Sequence, residues 1–201
     1  MQINEVELAR RLSKHVHFAV DHWDLSMWDK SMVRSTTKQN QITELEKILE
    51  ENKTNPNKTI QPHKHEKVDN VVLNTGLQLG IDLLINASSN RIDYNSLGTS
   101  STAESVSQTN LQAEDSGGSY TRLQFSTVGV RSRTNQTLTM KALWADTNLS
   151  SSTLTVKESG VHWGSSGTSN CYSRAVFTDF TFQIGFLLLV SISEVHQNGT
   201  L

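Results

Sequence analysis

Between residues 182 and 192, Phe182, Ile184, Phe186, Leu188, Val190 and Ile192 alternate onto one side of an extended chain, and Leu187 and Leu189 occupy the other. Successive side chains of a strand point to opposite faces, so a run that is apolar on both belongs in the middle of a sheet covered on both sides. The upstream sequence supplies companions with the same period of two. Leu138, Met140, Ala142 and Trp144 alternate with polar Thr139 and Lys141, which also places Trp144 in a core. Leu123 and Phe125 lead to Val128 and Val130, with an irregularity expected near Gly129; Leu154 with Val156 and Ala175 with Phe177 are shorter alternations. Some five strands separated by Gly, Ser and Asn turns predict a mainly β protein, an antiparallel β-sandwich of jelly-roll or Ig-like type.

The first third is a different kind of polypeptide. Residues 1–67 carry 11 basic and 10 acidic side chains, 21 of 67, against 7 and 10, or 17 of 134, in the remainder. The only prolines, Pro56 and Pro62, fall in the polar stretch NKTNPNKTIQPHKHEK, which reads as a linker over residues 52–69. Before it, Ile3, Val6, Ala9, Leu12, Val16 and Ala19 recur every three or four positions, a helical stripe that Asn4 and Glu7 would cap. ITELEKILEE repeats the spacing at Ile42, Leu45 and Leu49. Residues 1–51 are therefore expected to form an N-terminal α-helical arm. Neither of its helices is long enough to be stable alone, so Trp23, Met27, Trp28 and Met32, with Leu12 and Val16, are expected to bind a partner's surface. Residues 70–201 are expected to form the β-sandwich domain. It opens with a short helix in VVLNTGLQLGIDLLI, where Leu77, Ile81, Leu84 and Ile85 share a face and Gly76 and Gly80 weaken the pattern. From residue 86 to 121, Ser, Thr, Asn and Gly make up 20 of 36 positions, the composition of a loop with little to bury.

Several chemistries find no support. A formal net charge of −2 gives no electrostatic reason for a nucleic-acid or membrane-surface partner. The longest apolar stretch, IGFLLLV, falls short of the ~20 residues of a spanning helix. Cys171 is the single cysteine and MQINEVELARRL holds no apolar signal-peptide region, from which folding in a reducing cytoplasm is expected. No P-loop, dinucleotide fingerprint or paired-carboxylate motif is present, GSSGTS lacks the spacing of a nucleophile turn, and no catalytic residue or cofactor is expected. His63 and His65 would share a side of an extended linker, but with no cysteine beside them they read as solvated, and no metal is expected. Glu158 in VKESG is the acidic residue of most interest, with a structural role expected at a strand end. Six Asn-x-Ser/Thr sites start at Asn52, Asn57, Asn86, Asn135, Asn148 and Asn198. Composition alone predicts roughly three to four.

VVLNTGLQLGIDLLI, RIDYNSLGTSST, TNLQAED, VKESGVHW and YSRAVFTDF follow one another ahead of the long final strand. This order resembles a recurrent pattern in virion proteins of tailed phages and archaeal viruses: an N-x-G-L…D-L-L helix, a Y-x-x-L-G-T turn, a T-x-L-x-x-E loop, an E-x-G-hydrophobic hairpin and an R-x-x-F strand. The matching positions are Asn74, Gly76, Leu77, Asp82, Leu83, Leu84, Tyr94, Leu97, Gly98, Thr99, Leu111, Glu114, Glu158, Gly160, Val161, Arg174 and Phe177, over residues 70–192. The usual glycine after Gly98 and Thr99 is Ser100 here. The resemblance implies a non-enzymatic β-sandwich building block of a virus particle, of head-decoration, head-fibre, collar or tail-fibre type, assembled in the host cytoplasm. On that reading the arm docks on capsid or neck subunits and the sandwich projects outward. Within the same class stands a tail-fibre or receptor-binding subunit with a trimeric amino-terminal stalk, although the spacing 3-3-3-4-3 is too irregular for a sustained heptad seam. A reading from a different class is a carbohydrate-binding module that stacks a host-surface glycan on Trp163 or Tyr172 in GVHWGSSGTSNCY.

Overall fold

The computed structural model describes residues 16–55, 60–84, 86–135 and 137–198, the side chains of 16–21, 84 and 195–198 excepted. The chain is mainly β, in two antiparallel five-stranded sheets with few helices. The first sheet has the order β2 (Lys64–Val68), β1 (Val16–Asp29), β10 (Phe186–Asn198), β7 (Thr137–Ala145), β6 (Val130–Thr134). The second has the order β3 (Val71–Val72), β9 (Cys171–Thr181), β8 (Thr155–His162), β4 (Tyr94–Gly98), β5 (Leu123–Gln124). Helix α1 (Lys38–Thr54) lies between β1 and β2, α2 (Asn74–Leu84) between β3 and β4, and the single turn α3 (Phe125–Val128) between β5 and β6.

β10 is the central strand of the first sheet, hydrogen-bonded to β1 and β7. Its two faces separate as the alternation requires. Leu188, Val190 and Ile192 join residues of both sheets in the main core, with Trp23, Leu25, Met140, Trp144, Val161, Ala175 and Phe180 among them. Leu187 and Leu189 turn the other way, into a second cluster with Trp28, Ile42, Leu45 and Leu143. Helix α1 thus covers the outer face of the first sheet. Its cap is Thr37, whose hydroxyl accepts from the backbone N–H of Asn40, and Glu46 pairs with Lys141 of β7. Ile184 departs from the expected alternation: it sits in the turn before β10 and is 80% exposed.

The helical arm expected over residues 1–51 is corrected where the structure describes it. Residues 16–29 form β1, paired with β10 from Val16↔Asn198 to Asp29↔Phe186. The second expected helix is present as α1. The linker over 52–69 is corrected in part, because β2 pairs with β1 from Trp23↔Val68 to Met27↔Lys64. The first helical stripe up to Leu12 lies outside the described residues. The short helix expected after residue 70 is present as α2. Gly76 is what lets it approach β9, since a Cβ there would collide with the carbonyl of Tyr172. The irregularity near Gly129 is α3, which carries the chain from the second sheet to the first. The stretch 86–121 contains β4, a strand its composition conceals.

Because β1 lies between β2 and β10, a chain beginning at Val68 is expected to lose cooperative thermal unfolding, whereas one beginning at Val16 keeps it; circular dichroism melting of the two checks this. Leu45→Ala, beneath α1, should cost about 2–5 kcal/mol in urea unfolding.

Candidate functional site

Among the described residues, the outer face of the second sheet has no large apolar cover. Glu158, Gly160 and His162 alternate along β8, Ser96 and Gly98 lie on β4, and Arg174 on β9. The segment 99–122 closes over them. Glu158 and Arg174 are both 0% exposed, with Arg174 Nε 2.7 Å from Glu158 Oε2. The carboxylate also accepts from the backbone N–H groups of Ala113 at 2.7 Å and Gln112 at 3.1 Å, and the guanidinium donates to Thr102 O at 2.8 Å and Gln108 Oε1 at 3.0 Å. Each charge therefore holds the loop as well as its partner. An unmatched pair in such a place would be costly; here further bonds go to backbone groups of the loop and to the Gln108 side chain.

A second ion pair closes the far end of the same loop. Arg122 meets Glu114 through Nε and Nη2, both at 2.7 Å, and donates to Gly164 O, Gly167 O and Asn170 Oδ1. The two-toothed geometry suits arginine and not lysine. Burial would raise the Glu114 carboxyl, but the hydrogen bond and charge of Arg122 outweigh it and hold the group below the usual range. His162 lies beneath, Nε2 2.7 Å from Ser96 Oγ and Nδ1 3.1 Å from Asn170 Oδ1. Burial first, and then the charge of Arg122, bring it down to about 4. It is neutral at pH 7. Ser96 and His162 have the distance of a nucleophile and base, but both are 0% exposed, so the pair as placed joins two strands and offers nothing to a substrate.

The motif residues of the sequence meet in this network. Gly98 is in contact with Glu158: a Cβ there would lie 2.6 Å from Ala113 O and 2.5 Å from Glu158 Oε1. Gly160 lies under the side chain of Leu111. Thr99 is exposed and donates its N–H to Ala113 O at 2.9 Å. Asn74 opens α2 with its N–H on Val106 O at 2.8 Å. Leu77 is 41% exposed, so the helix face read from Leu77 and Ile81 is not the one that enters the core; Leu79 and Gly76 are buried instead. The Leu84 side chain lies outside the described residues.

The expected partner-binding residues are placed otherwise. Trp23, Met27 and Trp28 are 0%, 4% and 0% exposed, because alternate positions of β1 face the two cores; Trp28 Nε1 donates to Ser26 Oγ at 2.8 Å. They are core residues and are corrected as docking anchors. Met32 packs against the α1 cluster, half-buried. Val16 lies at the start of β1 without a described side chain, and Leu12 outside the described residues. Tyr172 is also corrected as a glycan platform: it is 4% exposed and its hydroxyl bonds Glu194. Trp163 is half-buried and packed against the main core. His65 bonds Asp24 at 2.6 Å, and the His63 ring sits edge-on to Phe186 at 4.6 Å. Among the described residues no group of three or more His, Cys, Asp or Glu side chains is placed to hold a metal ion.

Sequence reasoning missed Arg122, His162 and Asn170, and also Asn95, which accepts from Trp144 Nε1 at 2.7 Å inside the core. Their partners lie 8 to 66 positions away, so no local spacing marks them. Comparison of the chain with protein-family models, curated proteins and solved structures finds no match.

Removing one member of the buried pair should be worse than removing both. Arg174→Met is expected to cost about 3–5 kcal/mol, and Arg174→Met with Glu158→Leu less than Arg174→Met alone, measured by urea unfolding. The lowered His162 value gives a pH dependence of known sign. The unfolded chain takes up a proton near pH 6.5 that the folded chain refuses until about 4, so stability falls by about 3 kcal/mol as pH drops through that window. Below it Glu114 adds a further loss as its carboxylate is protonated. His162→Gln should flatten the slope between pH 6.5 and 4 and leave the more acidic loss in place.

Proposed function

We propose that the protein is a non-enzymatic structural component of a virus particle, a β-sandwich of jelly-roll or Ig-like type that projects from the particle in a decoration or fibre role. The observation that supports this reading is the convergence of Gly98, Leu111, Glu158, Gly160 and Arg174, residues far apart in the chain, on one buried lock. Those are residues whose order resembles the virion pattern, and their contacts give that order a physical reason: it specifies how the long polar loop is fastened to the second sheet. Fully buried charges and glycines without room for a side chain fit a part whose work is to keep its shape.

With Trp23, Met27 and Trp28 committed to the two cores, docking on capsid or neck subunits is assigned to residues 1–15, where Ile3, Val6, Ala9 and Leu12 recur at helical spacing. A stripe of that spacing would offer a partner's surface one apolar face. Particles purified to constant density from the source culture should contain the chain by mass spectrometry. Deletion of residues 1–15 should remove it from particles while leaving its melting temperature unchanged. Intact particles without the full-length chain, from a lysate that contains it, would sink the proposal.

A further inference from the structure

We propose that Lys38 and Asn148 join in an intramolecular isopeptide bond. Lys38 is the first residue of α1, and Asn148 the last of the 3₁₀ turn Asp146–Asn148 that follows β7. The lysine Nζ donates to Asn148 Oδ1 at 2.9 Å. The amide carbon lies one C=O bond further on, so the amine stands within about 4 Å of the atom it would attack. Reacting atoms in a productive pose are about 3–3.5 Å apart, a shift within side-chain motion, and groups so held react as though at about 10⁵ M or more.

The bond requires a neutral amine and a polarised carbonyl. Lys38 borders a pocket of about 410 Å³ together with Leu143, Ala145 and Leu187, all three buried. Among the described residues no carboxylate is paired with it. Asp146 accepts from the N–H of Gly185, and Glu44 from those of Arg34 and Ser35; Lys30 is the other charged side chain of the lining. An ammonium group on apolar side chains with no counter-ion gives up its proton readily. Burial brings Lys38 down to about 8, which leaves about a tenth of it neutral at pH 7. The carbonyl is prepared as well, because Asn148 Oδ1 also accepts from the backbone N–H of Ala145 at 3.1 Å. That donor is already aimed at the oxygen that becomes negative when the amine adds.

The step balances within the two side chains. The Nζ lone pair forms the bond to Cγ of Asn148, the carbonyl oxygen takes up the displaced electrons and returns them, and the Cγ–Nδ2 bond breaks with its pair on nitrogen. One Nζ proton passes to Nδ2, with water as its carrier at a pocket edged by exposed Thr36 and Thr147, and ammonia leaves. No oxidant, metal or second substrate enters. The product ties the start of α1 to the turn after β7 across 110 positions of chain, so that the cover over Leu187 and Leu189 is fixed covalently. The inference does not depend on the virion reading: a chain that never enters a particle holds the same two groups in contact.

The test is the intact mass of the purified full-length chain, followed by peptide mapping. The chain should weigh less than its sequence requires by one ammonia. Trypsin should release a branched peptide that joins the segments around Lys38 and Asn148, in place of cleavage after Lys38. Lys38→Met and Asn148→Ala should each restore the full mass. Chain isolated in mildly acidic buffer and then moved up in pH should lose the ammonia it still holds, at a rate that climbs until the pH passes about 8. Full mass after prolonged incubation in mildly alkaline buffer, ammonia loss that persists in Lys38→Met, or loss that maps to a succinimide at Asn198 with no branched peptide would each overturn the proposal.

Discussion

A strand that must be dry on both faces governs this architecture. Leu187 and Leu189 of β10 are 2% and 1% exposed, and Leu188, Val190 and Ile192 on its other face are fully buried. Each such side chain contributes about 1.5–3 kcal/mol only if something removes it from water. The second sheet covers one face and α1 the other. Backbone pairing raises the same demand in the plane of the sheet, because the inner N–H and C=O groups of β10 need strands on both edges. β7 and β1 fill those places. The charged first third of the chain is therefore part of the fold from β1 onward, and its tryptophans are spent on closing the cores.

The second sheet solves the same problem with different chemistry. Its outer face lies under a loop of Ser, Thr, Asn and Gly, in which Leu111 is a buried apolar residue. A loop of that composition gains little from burial, so it is held by hydrogen bonds, and the strongest available are those to charges. Glu158 with Arg174 and Glu114 with Arg122 fasten it at two places. Desolvating four charged groups is expensive, and the arrangement is tolerable because backbone groups, with the Gln108 and Asn170 side chains, take up further bonds from the ion pairs. One result is directionality: an apolar cover could slide, whereas a loop whose N–H groups at Gln112 and Ala113 meet one carboxylate has one position.

The period-two signals of β7 and β10 were legible because both strands alternate without interruption. β1 was not, and the reason is local. Val16, Phe18 and Val20 alternate, as do Trp23, Leu25 and Met27, but the two sets are out of phase. The register against β10 shifts between Val20 and His22. A bulge inserts one residue and reverses which parity faces the core, so the combined pattern loses its period of two and admits a helical reading. β2 was concealed differently. As an edge strand it carries Lys64, His65, Glu66 and Lys67, the charges that discourage further pairing, and such a strand looks like a linker. The locked loop was legible only as an order of common residues. What they do together rests on contacts between residues 45 and 72 positions apart, and no window along the chain brings those together.

The two covers also differ in extent, and the cleft beside α1 follows from that difference. The helix packs on Leu143, Ala145, Leu187 and Leu189 of β7 and β10 and on Trp28 near the end of β1. On the β1 side the outward positions change character: Ser26 and Asp24 replace leucines, and beyond them β2 is polar. A helix gains by lying over the apolar strands and gains nothing by extending over the polar ones. The sheet therefore continues past the edge of its cover, and α1 and the residues leading into β2 stand as walls above an uncovered strip. Asp24, His65 and Lys67 satisfy one another on that strip, which keeps it stable while open to solvent. The concave surface arises here from where the hydrophobic stripe of one helix ends.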